Sequence, residues 1–167
     1  ARYESDGIRF RSHLDGSEQF LTPERVVDMQ ARIGVDIATC LDVCTGFPVP
    51  EADVAVAVDQ TNVWAERSIR ALGQTSNVKR QMLLYGMVQG SIYSKQRQRS
   101  AEFLRDLPFA GFAIGGNMYT FGATLQELVR EKPRMWEIVA YTNSFLPDNK
   151  PRHLLGVGEP SDLIAGV

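Results

Sequence analysis

Four short apolar runs of the sequence are each followed by residues that could bind a ligand. These strand-like runs are residues 35–41, 81–88, 109–114 and 153–155. Asp42 follows the first run and Gln89 follows the second, while Gly115-Gly116 and Gly156 follow the other two. A carboxylate, a carboxamide and bare backbone can together pair with a flat molecule that carries both hydrogen-bond donors and acceptors.

Helical patterns separate these runs and decide where the residues after them meet. They cover 52–72, 94–107, a stretch that starts at 124–129, a further piece at 134–141, and 160 onward. Pro133 should end or kink the helix that starts at 124–129. Alternating strands and helices predict an α/β fold with a parallel sheet and right-handed crossovers. The C-terminal ends of parallel strands form the ligand site in such folds. We therefore expect Asp42, Gln89 and two glycine-bearing turns, Gly115-Gly116 and Gly156-Val157-Gly158, to converge on one pocket.

The first 34 residues predict a β-hairpin and a helix. Residues 8–10 and 19–21 alternate in polarity around the turn dipeptide Asp15-Gly16. Thr22 is a suitable N-cap before Pro23, and Gly34 is a suitable end for the helix.

The parallel part that follows has four predicted strands. A closed (β/α)₈ barrel needs eight strands and about 250 residues, so an open doubly wound sheet and part of a barrel both stay possible.

Bulk composition describes an ordinary soluble protein. The 167 residues are 44% hydrophobic and 23% charged, with a formal net charge of −2. This charge provides no general attraction to nucleic acid. The sequence has no apolar run of transmembrane length and no signal-peptide core at its start, so we expect a cytoplasmic protein without a membrane partner.

The cysteines and histidines do not predict a metal site. Cys40 and Cys44 have a C-x₃-C spacing, but a structural zinc site needs four ligands, and His13 and His153 are far away in sequence. We expect Cys40 to be buried, Cys44 to be able to line the pocket, His13 to lie at the surface and His153 to pack at a strand start. No metal ligand and no catalytic residue is therefore assigned.

Three basic residues, Lys95, Arg97 and Arg99, lie in the first half of the helical pattern 94–107. Their alternate spacing distributes them around the helix instead of along one face. We expect a solvated helix surface in preference to a phosphate-binding patch. The two tryptophans, Trp64 and Trp136, are expected to be core anchors.

Short motifs along the whole chain resemble the tRNA-guanine transglycosylases in family order. They are Gly7-Ile8-Arg9-Phe10-Arg11-Ser12-His13-Leu14-Asp15-Gly16-Ser17, Leu21-Thr22-Pro23-Glu24, Gly34-Val35-Asp36-Ile37, Leu41-Asp42-Val43-Cys44, Trp64-Ala65-Glu66-Arg67, Gly86-Met87-Val88-Gln89-Gly90, Ala113-Ile114-Gly115-Gly116 and Lys150-Pro151-Arg152-His153-Leu154-Leu155-Gly156-Val157-Gly158. The resemblance implies part of a TIM-type (β/α)₈ barrel with an N-terminal β-hairpin. It also implies an enzyme that exchanges a guanine in tRNA for a 7-deazaguanine base through a covalent intermediate.

The resemblance also implies roles for residues of this chain. The Asp42 carboxylate would accept from the N–H groups of the base, and the Gln89 carboxamide would contact the base. The Gly116 N–H would bond the exocyclic oxygen of the base, with Gly115 and Asn117 beside it. A loop would contact the RNA through Gly156, Val157, Gly158, Glu159, Pro160, Ser161 and Asp162.

Other features of the family are expected outside this sequence. The acid/base aspartate of the family lies before the segment resembling residues 7–17, and the nucleophile and the zinc module lie after the segment resembling the end of the chain. We therefore expect residues 1–167 to form one partial domain, the middle of a barrel lacking both ends, with no cofactor of its own. Open barrel edges would favour a homo- or hetero-oligomer.

The sequence departs from the family pattern at a few positions. Val43 replaces a glutamate found in many bacterial members, Asn117-Met118-Tyr119-Thr120 replaces the usual run after the glycines, and the segment 124–147 is longer than usual. Two alternatives stay open. One is a non-catalytic nucleobase- or RNA-binding subunit or relic of the family. The other is a metal-dependent barrel hydrolase, which the small number of histidines disfavours.

Overall fold

The computed structural model describes residues 1–74, 82–116 and 125–166. An antiparallel sheet of three strands opens the chain, with β1 (Arg2–Glu4), β2 (Gly7–Arg11) and β3 (Glu18–Leu21) in sequence order. The predicted hairpin is present as β2 and β3, but β1 is an additional strand that the sequence pattern did not reveal. Its short sequence has no apolar alternation and depends on its partner, since Glu4 accepts from Arg9 Nε on β2 at 2.9 Å.

Alternating helices and parallel strands make up the rest of the chain. They are α1 (Pro23–Ile33), β4 (Ile37–Thr39), α2 (Glu51–Gln74), β5 (Leu83–Val88), α3 (Ser94–Arg105), β6 (Gly111–Ile114), α4 (Leu125–Asn143), β7 (Arg152–Leu154) and α5 (Pro160–Ala165). The strands pair in parallel in the order β4-β5-β6-β7, which excludes the reversed order of a doubly wound sheet. They curl as half of a barrel, which confirms the predicted α/β fold with an N-terminal antiparallel sheet.

Three parallel strands begin two residues later than the apolar runs that predicted them. β4 begins at Ile37 instead of residue 35, β5 at Leu83 instead of residue 81, and β6 at Gly111 instead of residue 109. The apolar residues before the strands enter the core under the helices: Phe109 is fully buried, and Val35 packs against the same cluster. Burial and strand pairing both select apolar residues, so hydrophobicity alone could not locate the first paired residue.

Helix ends follow the predicted caps at α1 but not the predicted break at α4. Thr22 Oγ1 accepts from the Arg25 N–H at 3.2 Å, and Gly34 adopts a left-handed φ of 82° at the C-terminal end of α1. α4 continues through Pro133 as one helix, so Pro133 does not end it. A proline removes one backbone hydrogen bond, and here the helix around it is maintained on both sides.

The main core lies between the parallel sheet and its helices. Leu84 of β5, Phe112 of β6 and Leu104 of α3 are buried there together. Trp64 of α2 is fully buried as predicted, and its Nε1 donates to the Ser5 carbonyl at 3.0 Å, which joins α2 to the N-terminal sheet. Among helices in the described part of the chain, none is long and apolar enough to cross a membrane.

Candidate functional site

The side chains of Asp42 and Gln89 meet at the C-terminal ends of β4 and β5. Gln89 follows β5 directly and is 2% exposed, and its backbone N–H donates to Ser100 Oγ at 3.1 Å. Its Nε2 donates to Asp42 Oδ2 at 2.6 Å, while Asp42 itself is half-buried. The carboxylate and the carboxamide that the sequence placed after different strands therefore lie side by side.

The Gln89 carboxamide lies against the Gly115-Gly116 turn after β6. A Cβ atom at Gly115 would lie 2.8 Å from Gln89 Nε2, and a Cβ atom at Gly116 would collide with Gln89 Oε1. Gly116 has a φ of 60°, a conformation that also favours glycine. The absence of side chains at these glycines leaves the space that the carboxamide occupies. The structure thus places Asp42, Gln89 and both glycines together, as the strand-end pattern predicted.

One acceptor in this cluster is unused. Gln89 Oε1 is buried and has no hydrogen-bond partner among the described residues. A buried carbonyl oxygen without a partner is unfavourable, and a ligand N–H group would satisfy it. The site can therefore offer a bound molecule two adjacent kinds of acceptor, the Gln89 carboxamide oxygen and the Asp42 carboxylate.

Burial disfavours negative charge in this cluster. It raises the pKa of Asp42, and the hydrogen bond from Gln89 partly offsets that effect. Burial and the nearby Asp42 charge raise the pKa of Cys44, while the Gly116 N–H acts in the opposite direction. Cys40 is buried as predicted, and burial raises its pKa to about 12, so it does not supply a thiolate.

The segment after Asp42 is fixed by residues of α2 and by Tyr93, just before α3. The Val43 N–H donates to Thr61 Oγ1 at 3.0 Å, and the Val43 side chain packs with Trp64. The Tyr93 hydroxyl donates to the Val49 carbonyl at 2.8 Å. Asp42 therefore lies at the start of a loop that is anchored near its beginning, at Val43, and near its end, at Val49.

Arg97 corrects the expectation of a solvated basic surface on α3. Its side chain is fully buried, whereas Lys95 and Arg99 are exposed and Arg99 forms an ion pair with Asp59 of α2. Burial lowers the pKa of Arg97 to about 10. The missed signal was the spacing of Arg97 from Leu104, two turns along the same helix face, which places both toward the sheet.

The predicted RNA-binding loop follows β7 at the same end of the sheet. Gly156, with a φ of 73°, and residues 158–161 are exposed, and Val157 is half-buried. Asp162 is 5% exposed, forms a capping box with Glu159, and accepts from Lys132 Nζ at 2.9 Å. Asp162 thus stabilises the loop through buried contacts. The remaining predicted base-binding residue, Asn117, lies outside the described residues.

The described residues do not fit a metal ion. They contain no group of three or more histidine, cysteine, aspartate or glutamate side chains that could hold one. His13 is exposed as expected, but His153 is also exposed instead of packed at the strand start. In the described sheet β7 is an edge strand, which leaves that side chain uncovered.

Comparison with known proteins agrees with this geometry. The family model described as "TGT: Queuine tRNA-ribosyltransferase" matches residues 1–167. A protein named queuine tRNA-ribosyltransferase from Caldanaerobacter subterraneus subsp. tengcongensis is 41% identical over 162 residues, which are 97% of this chain and 40% of that protein. Proteins of the same name from Dehalococcoides mccartyi and Dictyoglomus turgidum are each 39% identical over 166 residues, which are 99% of this chain and 39% and 40% of those proteins. The chain spans about two fifths of the length of these curated relatives. Because the family model matches residues 1–167 and these relatives are 39–41% identical over almost the whole chain, the chain belongs to the queuine tRNA-ribosyltransferase family.

Proposed function

We propose that this chain supplies the base-recognition pocket of a cytoplasmic enzyme that exchanges guanine for a 7-deazaguanine base in tRNA. The observation that carries this proposal is the convergence of Asp42, Gln89 and the Gly115-Gly116 turn at three neighbouring strand ends. Family membership makes tRNA and a base the substrates to test first.

The donors and acceptors of the pocket complement the edge of guanine. Guanine presents N–H donors at N1 and at its 2-amino group, and an acceptor at O6. The Asp42 carboxylate would accept from the donors, the Gln89 carboxamide would contact the base, and the Gly116 N–H would donate to O6. A 7-deazaguanine carries the same edge, so one pocket would serve the leaving base and the incoming base.

The exchange itself would be a double displacement at the ribose. A carboxylate would attack C1′ as the bond to guanine breaks, and guanine would leave with a proton from the acid/base aspartate, which leaves a covalent ribosyl ester. The incoming base would then attack C1′ from the face that guanine left, opposite the ester bond, and would give its ring N–H proton to the same aspartate as the carboxylate departs. The two inversions together retain the anomeric configuration. The nucleophile and acid/base aspartates of the family are expected outside residues 1–167, and these residues would hold the base at the reacting carbon.

The loop of residues 156–162 would contact the tRNA next to this pocket. Its exposed glycines offer backbone groups that can approach phosphate and sugar oxygens closely. Asp162 would act by maintaining the loop, because its carboxylate already caps α5 and pairs with Lys132.

Calorimetric titration of guanine and several 7-deazaguanines tests the pocket directly. We expect the intact protein to bind these bases and Asp42→Ala to lose binding. Asp28→Ala removes an exposed carboxylate that pairs with Arg32 in the next turn of its own helix, so it is the matched control and should bind normally. Equal binding by Asp42→Ala and the unchanged protein would refute the assigned pocket.

Incorporation of labelled guanine into tRNA tests the reaction separately from binding. We expect no incorporation by residues 1–167 alone, because the catalytic aspartates of the family are expected outside them. Incorporation should appear when a separate chain bearing those motifs is added, and Asp42→Ala should abolish it. Base binding without any incorporation would support instead a base-binding protein that does not catalyse exchange.

A further inference from the structure

Arg97 carries a buried positive charge whose hydrogen bonds all go to backbone carbonyls. Nε donates to Ser91 O at 2.7 Å, Nη1 to Gly115 O at 2.7 Å and to Val88 O at 3.4 Å, and Nη2 to Gly116 O at 2.8 Å. Among the described residues no carboxylate forms an ion pair with it. The charge is therefore compensated by carbonyl dipoles at the ends of β5 and β6.

These bonds fix the direction in which the Gly116 N–H points. In a trans peptide the carbonyl of one residue and the N–H of the next point in opposite directions. Because Arg97 holds the Gly115 carbonyl on its own side, the Gly116 N–H is turned away from Arg97. The Gln89 carboxamide, which donates to Asp42, lies against the same two glycines.

Arg97 also holds the turn after β5. Ser91 has a φ of 49°, which is strained for a residue with a side chain, and its carbonyl accepts from Arg97. A Cβ atom at Gly90 would lie 2.6 Å from the Arg97 backbone nitrogen, so this turn packs directly on the start of α3. One side chain thus connects the turns that carry Gln89 and Gly116.

We infer that Arg97 is a positioning residue for base recognition, holding the Gly115 and Gly116 carbonyls so that the Gly116 N–H faces the exocyclic oxygen of the base. This inference rests on the proposed function. Arg97 does not contact the base. It acts on the O6 contact, whereas recognition of the 2-amino group depends on Asp42.

Base analogues separate these two contacts. In 6-thioguanine a sulfur, a poor acceptor, replaces O6 while the N–H donors stay, and hypoxanthine keeps O6 but lacks the 2-amino group. We expect Arg97→Met to reduce the preference for guanine over 6-thioguanine by about tenfold, because the variant should lose the contribution of about one hydrogen bond to O6. The preference for guanine over hypoxanthine should not change, and Arg97→Lys should restore part of the lost preference.

Arg99→Met is the matched control, because Arg99 lies on the same helix but is exposed. It should leave both preferences unchanged. If Arg97→Met does not give a cooperative thermal transition, Arg97→Lys takes its place, since a shorter ammonium cannot reach all four carbonyls and should show a smaller loss. A folded variant that retains the full preference for guanine over 6-thioguanine would overturn the inference.

Hydrogen–deuterium exchange without a ligand tests the positioning role independently of base binding. Arg97→Met should increase exchange in the peptide that contains Gly115 and Gly116, and Arg99→Met should not. If no base binds the unchanged protein, the proposed function fails, and exchange alone decides the role of Arg97. Unchanged exchange at those glycines would then refute it.

Discussion

Gln89 Nε2 lies 2.6 Å from Asp42 Oδ2, so the two side chains proposed for base recognition are paired with each other. A short hydrogen bond to a carboxylate is among the stronger ones in proteins. It orients both groups, and a carboxylate has further lone pairs that can accept N–H groups from a base. The unpartnered Gln89 Oε1 is available at the same place.

Asp42→Asn should stabilise the protein at neutral pH while reducing guanine affinity by at least about tenfold. Burial raises the pKa of Asp42 in the folded state, so the neutral acid favours folding and the charged form opposes it. That contribution is fully present below the unfolded pKa of about 3.8 and is lost as pH rises through the raised folded value. Thermal unfolding at pH 7 should show a higher Tm for the asparagine variant, and at pH 3.5 the advantage should shrink. A lower Tm at pH 7 would contradict this account.

Gly116→Ala should remove base binding by displacing Gln89. The new methyl group would collide with Gln89 Oε1, and the left-handed φ adds about 1–2 kcal/mol of strain. Gly34→Ala is the matched control, because Gly34 also has a left-handed φ but open space around it. Calorimetry and thermal unfolding should show that both variants lose stability and that only Gly116→Ala loses guanine binding. Normal binding by Gly116→Ala would show that Gln89 can move without consequence.

Glu24→Gln should lower stability at neutral pH by about 0.5–1 kcal/mol and have little effect near pH 2. The Glu24 carboxylate accepts from Arg67 Nε at 2.7 Å and Nη2 at 2.9 Å, which joins α1 to α2. Arg67 lowers the pKa of Glu24 from 4.5 to about 2. The stabilisation is therefore present above about pH 4.5 and is lost as pH falls toward 2. Urea unfolding at pH 7 and at pH 2.5 measures the difference.

The control for that pair is Glu66→Gln, which alters an exposed interaction with Arg70 at 3.8 Å within one helix. It should change the free energy of unfolding by less than Glu24→Gln at pH 7. Equal effects of the two substitutions would mean that the connection between α1 and α2 adds nothing beyond an ordinary surface charge.

Lys132→Met should lower the Tm and reduce affinity for tRNA. Lys132 Nζ lies 2.8 Å from Glu159 and 2.9 Å from the buried Asp162, so its loss leaves that carboxylate without its cationic partner. Lys132→Arg keeps the charge and should retain most of the stability and affinity. Thermal unfolding and a tRNA binding assay provide the two readouts. Unchanged tRNA affinity in a destabilised Lys132→Met would remove the loop of residues 156–162 from the proposed RNA contact.

Local pattern was sufficient for the order of elements and for most of the candidate site. Thr22 and Gly34 predicted the ends of α1 because capping depends on adjacent residues and their allowed backbone angles. Asp42 and Gln89 were found because a polar residue directly after an apolar run marks a strand end. Parallel pairing of those strands then required the two residues to be neighbours.

Packing between distant segments decided what the pattern could not. β1 depends on its pairing with β2, and α4 continues through Pro133, which local propensity disfavours. Arg97 is the clearest example of a residue whose environment depends on tertiary packing and not on local sequence. In the sequence it is one of three alternate basic residues, and only the packing of α3 on the ends of β5 and β6 makes it the buried one. The sequence by itself determined which chemical groups follow the strands. The tertiary structure decided which are paired and which are held in place, because burial and hydrogen-bond direction depend on segments far apart in the chain.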